Sequence, residues 1–158
     1  MNSKSVELLN KALADEMSAV HQYMYFHLHC DNEELGPIAQ LFKKTAIEEM
    51  THVERLGDRI LFLKGEVEMA ASTDVQKITN VYDMLKHARK MEEDSVKEYN
   101  LCTNICSHNS DAISKQLFES LIADEERHYN QFDKELNNID KFGDQYLALQ
   151  AMEKHKKN

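Results

Sequence analysis

The sequence predicts an all-α fold: an up-down-down-up four-helix bundle with a long crossover between its second and third helices and a short fifth helix near the C-terminus. Three observations carry this. Gly occurs four times, Pro once and Trp not at all, while 30% of the 158 residues are charged; that balance suits long helices rather than a sandwich or a barrel. Apolar residues recur at three- and four-residue spacing through four long stretches. Only one internal segment, 66–79, lacks a sustained period. The chain is long enough to bury a core as one domain over 1–158, with the bundle spanning about 5–141.

The first helix, α1, is expected from about Ser5 to Glu33, through Leu8, Leu9, Ala12, Leu13, Val20, Tyr23, Met24 and Leu28. Gly36-Pro37 interrupts it, and Pro37 is placed to open α2, about Pro37 to Lys64, with Gly65 as its stop. Segment 66–79, with Ala70-Ala71-Ser72-Thr73 at its centre, is long enough to carry the chain to the other end of the bundle. Asn80 is placed to cap α3, about Val81 to Ser107. Asn109-Ser110-Asp111 reads as a turn. Helix α4 follows from about Ala112 to Lys141, and Gly143 ends it. Residues Asp144 to about Glu153 form a short α5 with a small apolar face.

Charge and composition exclude several functions. A net charge of −9 argues against nucleic-acid wrapping, which needs a basic face; Lys154, Lys156 and Lys157 read as a solvated tail. An acidic chain suits a cationic partner. The N-terminal MNSKSVELLNK lacks the apolar run of a signal peptide, and no stretch is long enough to span a bilayer. Three cysteines, Cys30, Cys102 and Cys106, form no staple pattern, as expected in a reducing cytoplasm.

One spacing occurs twice. Glu49 follows Glu16 by 33 residues and His52 comes three later; Glu125 follows Glu92 by 33 and His128 comes three later. The two sets are offset by 76 residues (92 − 16, 125 − 49, 128 − 52). With 17 Glu and 8 His, E-x-x-H alone is weak; the matched upstream glutamates give the pattern its weight. Each E-x-x-H pair is i,i+3 and shares a helix face. At 1.5 Å per residue, the four glutamates fall about 18–25 Å from the nearest hairpin turn, close to mid-bundle. Six such side chains at one height leave buried charge unpaired unless metal ions neutralise it. Four carboxylates and two imidazoles on facing helices suit a pair of iron or manganese ions.

At these residues the chain resembles the bacterioferritins along essentially its whole length. The segments ADEMSAVHQY, AIEEMTH, MEEDSVKEY and ADEERH carry the resemblance. It implies a ferritin-like bundle assembled as a 24-subunit shell, with a di-iron ferroxidase centre in each subunit. By that resemblance Glu49 and Glu125 bridge the irons, Glu16 and His52 complete one, and Glu92 and His128 the other. Tyr23 matches the tyrosine that hydrogen-bonds the terminal glutamate, here Glu92. Met50 matches the methionine that ligates haem b from both sides of a subunit two-fold. There are departures. Met17, His21 and Met24 stand where a more aliphatic and aromatic haem lining is expected. Glu48 matches the acid of an accessory iron site on the inner shell surface, but Lys44 stands in place of its His.

The function expected is iron storage. Two Fe(II) ions held between the carboxylates each give one electron to O2 or H2O2, and Fe(III) passes into an acidic cavity as mineral. A ferredoxin-type protein is the expected class of reductant for iron release. Neither nucleic acid nor membrane is an expected partner. The alternatives are a rubrerythrin-like di-iron peroxide reductase, whose rubredoxin-type C-x-x-C pair is missing, and a haem-carrying or structural shell, which the complete ligand set disfavours. A smaller shell with sites between subunits is disfavoured by the intra-subunit ligands and by α5. Cys102 and Cys106, four apart on α3, and Cys30 beside His27 and His29 read as packing residues rather than metal sites. Asp124, next to Glu125, is placed to orient a ligand histidine or to face solvent.

Overall fold

Polar caps and left-handed residues set the ends of five helices in a computed structural model that describes residues 2–153. The helices are α1 (Ser3–Asn32), α2 (Gly36–Phe62), α3 (Val81–His108), α4 (Ala112–Phe142) and α5 (Asp144–Met152). Asn2, Asn80 and Asp111 each accept a backbone N–H of the first turn that follows. Asp111 is thus a cap as well as part of the predicted turn. Glu34, Lys64 and Ser110 take positive φ just past α1, α2 and α3. Each is followed by a residue whose N–H reaches back to Cys30, Ile60 or Cys106. The stop of α2 is therefore Lys64 rather than the expected Gly65. Gly65 matters for close approach instead. A Cβ there would lie 2.6 Å from a Val6 methyl, so glycine lets the chain cross close over α1. Lys154, Lys156, Lys157 and His155 lie outside the described residues.

Two apolar clusters fix the topology. One joins Tyr23, Phe26 and Cys30 of α1 to Phe42 of α2, Leu85 of α3 and Phe132 of α4. The other joins Leu9 and Leu13 to Leu56, Tyr99 and Phe118. The end of α1, the start of α2, the start of α3 and the end of α4 thus share one end of the bundle. Helices α2 and α3 run the same way, which is the up-down-down-up order, and residues 63–80 must travel the length of the molecule. The polar row Asn10, Ser18 and Gln22 on α1 pins this crossover. Asn10 donates to Glu66 O and accepts from Glu68 N, Ser18 Oγ accepts from the N–H of Ser72 and Thr73, and Gln22 exchanges two bonds with Gln76. These bonds satisfy backbone groups that have no ladder of their own.

Helix α5 folds back on its own bundle in part. Gln150 accepts from the N–H of Ile38, Tyr146 bonds Glu135, and Tyr146 and Leu147 pack against the first cluster. Leu149 and Met152 remain 55% and 75% exposed. No described helix is long and apolar enough to cross a membrane.

Candidate metal centre

The layer between the two apolar clusters is polar and buried. Glu16, Glu49, His52, Glu92, Glu125 and His128 all reach it and are each at most 1% exposed. One residue of the set comes from each of α1 and α3, and an i,i+3 pair from each of α2 and α4. Two four-residue groups result: Glu16, Glu49, His52 and Glu125, and Glu49, Glu92, Glu125 and His128, each with its ligand atoms within 4.8 Å of one another. Glu49 and Glu125 belong to both.

The imidazoles are aimed. His52 Nδ1 faces inward, 3.1 Å from Glu125 and 3.3 Å from Glu16 and Glu49, while its Nε2 donates outward to Asp124 at 2.9 Å. His128 Nδ1 lies 3.3 Å from Glu49 and 3.5 Å from Glu92, and its Nε2 donates to Glu48 at 2.8 Å. Arg127 donates to Glu48 at 3.2 and 2.5 Å and also reaches Asp124 at 3.4 Å. An outward Nε2–H fixes the tautomer that leaves Nδ1 free to ligate. Asp124 is therefore an orienting residue, one of the two readings its position allowed.

Charge is concentrated here at a cost. Burial, then the neighbouring carboxylates, pushes Glu49 and Glu125 well above the usual carboxylate range. Burial disfavours charge on His52, but Glu125 and Glu16 outweigh it and raise the ring to about 10. Burial would also raise Glu48, yet Arg127 and His128 hold it down at about 2. Glu49 Oε1, Glu92 Oε2, both oxygens of Glu125 and His128 Nδ1 are buried without a hydrogen-bond partner. Unpartnered buried acceptors converging on one point are what a cation would satisfy. Four carboxylates balance the charge of two divalent ions, with two neutral imidazoles to complete them. The donor set fits a pair of iron ions.

Access to the layer lies between α1 and α3. A cleft of about 330 Å³ runs past Asp15, Ser18, Asp94 and Glu98 to Glu49 and Glu92, with the crossover at Ser72 and Thr73 as one wall. Lys11 and Glu98 pair at 2.8 Å beside it.

The ferritin-like domain family matches residues 6–142. The bacterioferritin of Desulfovibrio desulfuricans is 32% identical over 146 residues, 92% of this chain and 82% of that one. This chain belongs to the bacterioferritin family. A second relative, the bacterioferritin of Rhodobacter capsulatus, is 32% identical over 94% of the chain and 92% of its own length. The X-ray structure of the D. desulfuricans protein, described with its diiron site in different catalytic states, superposes with a TM-score of 0.93 over 94% of this chain and 87% of that one. The bacterioferritin BfrA of Mycobacterium tuberculosis, 25% identical, superposes with a TM-score of 0.90 over 96% and 95% of the two chains.

Tyr23 donates to Glu92 at 2.7 Å, as the family resemblance implied. Met50 is 56% exposed on the outer face of α2, one turn after the exposed Ile47. Cys30, Cys102 and Cys106 are buried free thiols, and burial raises Cys30 and Cys102 to about 12, so they are packing residues. His27 is held by Ala39 O at 2.7 Å. Sequence reasoning missed Tyr99, which donates to Glu16 at 2.5 Å. The signal was present: Tyr99 follows Tyr23 by the same 76 residues that separate the ligand sets.

Proposed function

We propose that this protein stores iron and oxidises it, with Fe(II) as substrate at Glu16, Glu49, His52, Glu92, Glu125 and His128. One observation supports this above the rest: two donor groups of equal composition share Glu49 and Glu125. Shared carboxylates hold two cations close together, and two neighbouring Fe(II) supply the electron pair that takes O2 to H2O2 with two protons, or H2O2 to water. The chain's own residues do the rest. The carboxylates facing His52 raise its proton affinity, and burial with like charges raises that of Glu49 and Glu125, so metal binding at these groups competes with protons. Asp124 and Glu48 keep the imidazoles turned inward from behind. The acidic cleft between α1 and α3 attracts the cation.

Met50, exposed on α2, would be the residue to hold a haem shared between two subunits, its thioether supplying a sulfur donor to the iron, since a ligand to a shared group must reach beyond its own bundle. Leu149 and Met152 suit contacts between subunits of a multi-subunit shell, for which 24 copies is our reading; chains of −9 would make its lumen strongly acidic. The cytoplasm is the expected compartment and a ferredoxin-type protein the expected reductant for iron release.

Glu125→Ala is the decisive experiment. It removes a shared donor from a polar layer rather than core volume, so the assembled protein should keep its helical content and lose the fast phase of oxidation at two Fe(II) per subunit in stopped flow. An unchanged fast phase overturns the assignment.

A further inference from the structure

The two halves of the polar layer each have a tyrosine. Tyr23 and Tyr99 are both fully buried. Tyr23, on α1, donates to Oε1 of Glu92 on α3 at 2.7 Å. Tyr99, on α3, donates to Oε1 of Glu16 on α1 at 2.5 Å. The arrangement is reciprocal, and the 76-residue offset that relates Glu16 to Glu92 relates the two tyrosines as well.

We propose that Tyr99 is a positioning residue for the Glu16–His52 half of the centre, and that with Tyr23 it makes the two metal positions equivalent. The inference rests on the two-metal reading above. A carboxylate on a long side chain can turn about its last bond. With Oε1 of Glu16 bound by the phenol, Oε2 faces inward, 3.3 Å from His52 Nδ1. In the other half, Tyr23 holds Oε1 of Glu92 and leaves Oε2 buried without a partner, free for a cation. The hydroxyl and the ring of Tyr99 have separable roles. The ring packs on Phe118 at 5.6 Å between centroids, and phenylalanine at this position would keep that contact. Only the hydroxyl reaches Glu16. Groups that orient a ligand from behind are typically worth 10–100-fold in metal affinity.

The test uses the assembled, metal-free protein and Co(II). Crystals soaked at sub-saturating Co(II) report the occupancy of each position by anomalous scattering, and titration in solution gives the two affinities. Wild type should fill both positions alike. Tyr99→Phe should weaken the Glu16–His52 position by about 10–100-fold and leave the Glu92–His128 position as it was; Tyr23→Phe should do the reverse. A purely structural hydroxyl would lower the melting temperature of Tyr99→Phe without dividing the two positions, and that result overturns the proposal. A second measurement leaves Tyr99 in place. Zn(II) binding to Tyr23→Phe should still perturb the ultraviolet spectrum of a buried phenol, and loss of that signal also overturns the proposal. Wild type that binds no Co(II) pair would overturn the two-metal reading itself, whereas wild type that binds the pair with Tyr99→Phe unchanged would overturn only the role of Tyr99.

Discussion

Glu48 and Asp124 hold corresponding places in the two halves, 76 residues apart, and each accepts a hydrogen bond from the histidine of the other half. Glu48 on α2 takes the Nε2–H of His128 on α4; Asp124 on α4 takes that of His52 on α2. The pair therefore ties α2 to α4 across the layer while turning both Nδ1 atoms inward. Arg127 contacts both acids and has no basic counterpart 76 residues earlier, where Thr51 stands.

Asp124→Asn removes the charge behind His52 and leaves its shape. The affinity for the metal at the Glu16–His52 position should fall by about tenfold or more, because the acid both orients the ring and raises its basicity. Co(II) titration of the metal-free protein measures this. Equal affinities in variant and wild type would show that the bond at Nε2 contributes nothing to ligation.

Stability of the metal-free protein should decline in mildly alkaline solution. Burial opposes charge on His52, but Glu125 and Glu16 lift its pKa from 6.5 to about 10. Burial, with neighbouring carboxylates, likewise raises Glu49 and Glu125. A raised native pKa means that the folded state binds more protons than the unfolded one. The His52 contribution is fully present below pH 6.5 and is lost as pH rises to about 10. Scanning calorimetry should show the melting temperature falling across that window without metal and a flatter profile with Co(II) bound, since the metal takes the place of the protons. A metal-free melting temperature that climbs from pH 6.5 to about 10 would contradict the direction of the His52 shift.

Met50→Leu keeps a similar volume and removes the sulfur. Protein made in haem-replete cells should carry about one haem per two chains as wild type, and the variant should lose the bis-methionine spectrum. Wild type free of haem, or a variant with an unaltered spectrum, would leave Met50 as surface packing alone.

Removal of residues 144–158 tests assembly. Tyr146, Leu147 and Gln150 already cover the parent bundle, while Leu149 and Met152 stay exposed. An isolated helix this short is marginal in water, so α5 gains its order from docking. The truncated chain should run as smaller assemblies by analytical ultracentrifugation and retain less mineral. A full-size shell that still holds iron would confine α5 to capping its own bundle.

Sequence alone determined the helices, their approximate ends and the six converging side chains, because helical period and i,i+3 spacing are local rules and the 76-residue repeat displays the symmetry directly. The pairing of Tyr23 with Glu92 came from the family resemblance, not from spacing or period. Sequence alone did not specify which polar residues of α1 would hold the crossover: Asn10, Ser18 and Gln22 look like ordinary exposed positions until segment 66–76 lies across them. Glu48 and Tyr99 find their partners, 80 and 83 residues away, only in the fold, although the 76-residue offset from Tyr23 marks Tyr99; for Asp124, 72 residues from His52, the fold chose the orienting role over the solvent-facing one. Residues so far apart in the chain meet only when α2 and α3 run in the same direction and the crossover spans the bundle. That packing decides which acid stands behind which imidazole, and which half of α5 faces its own bundle and which faces outward.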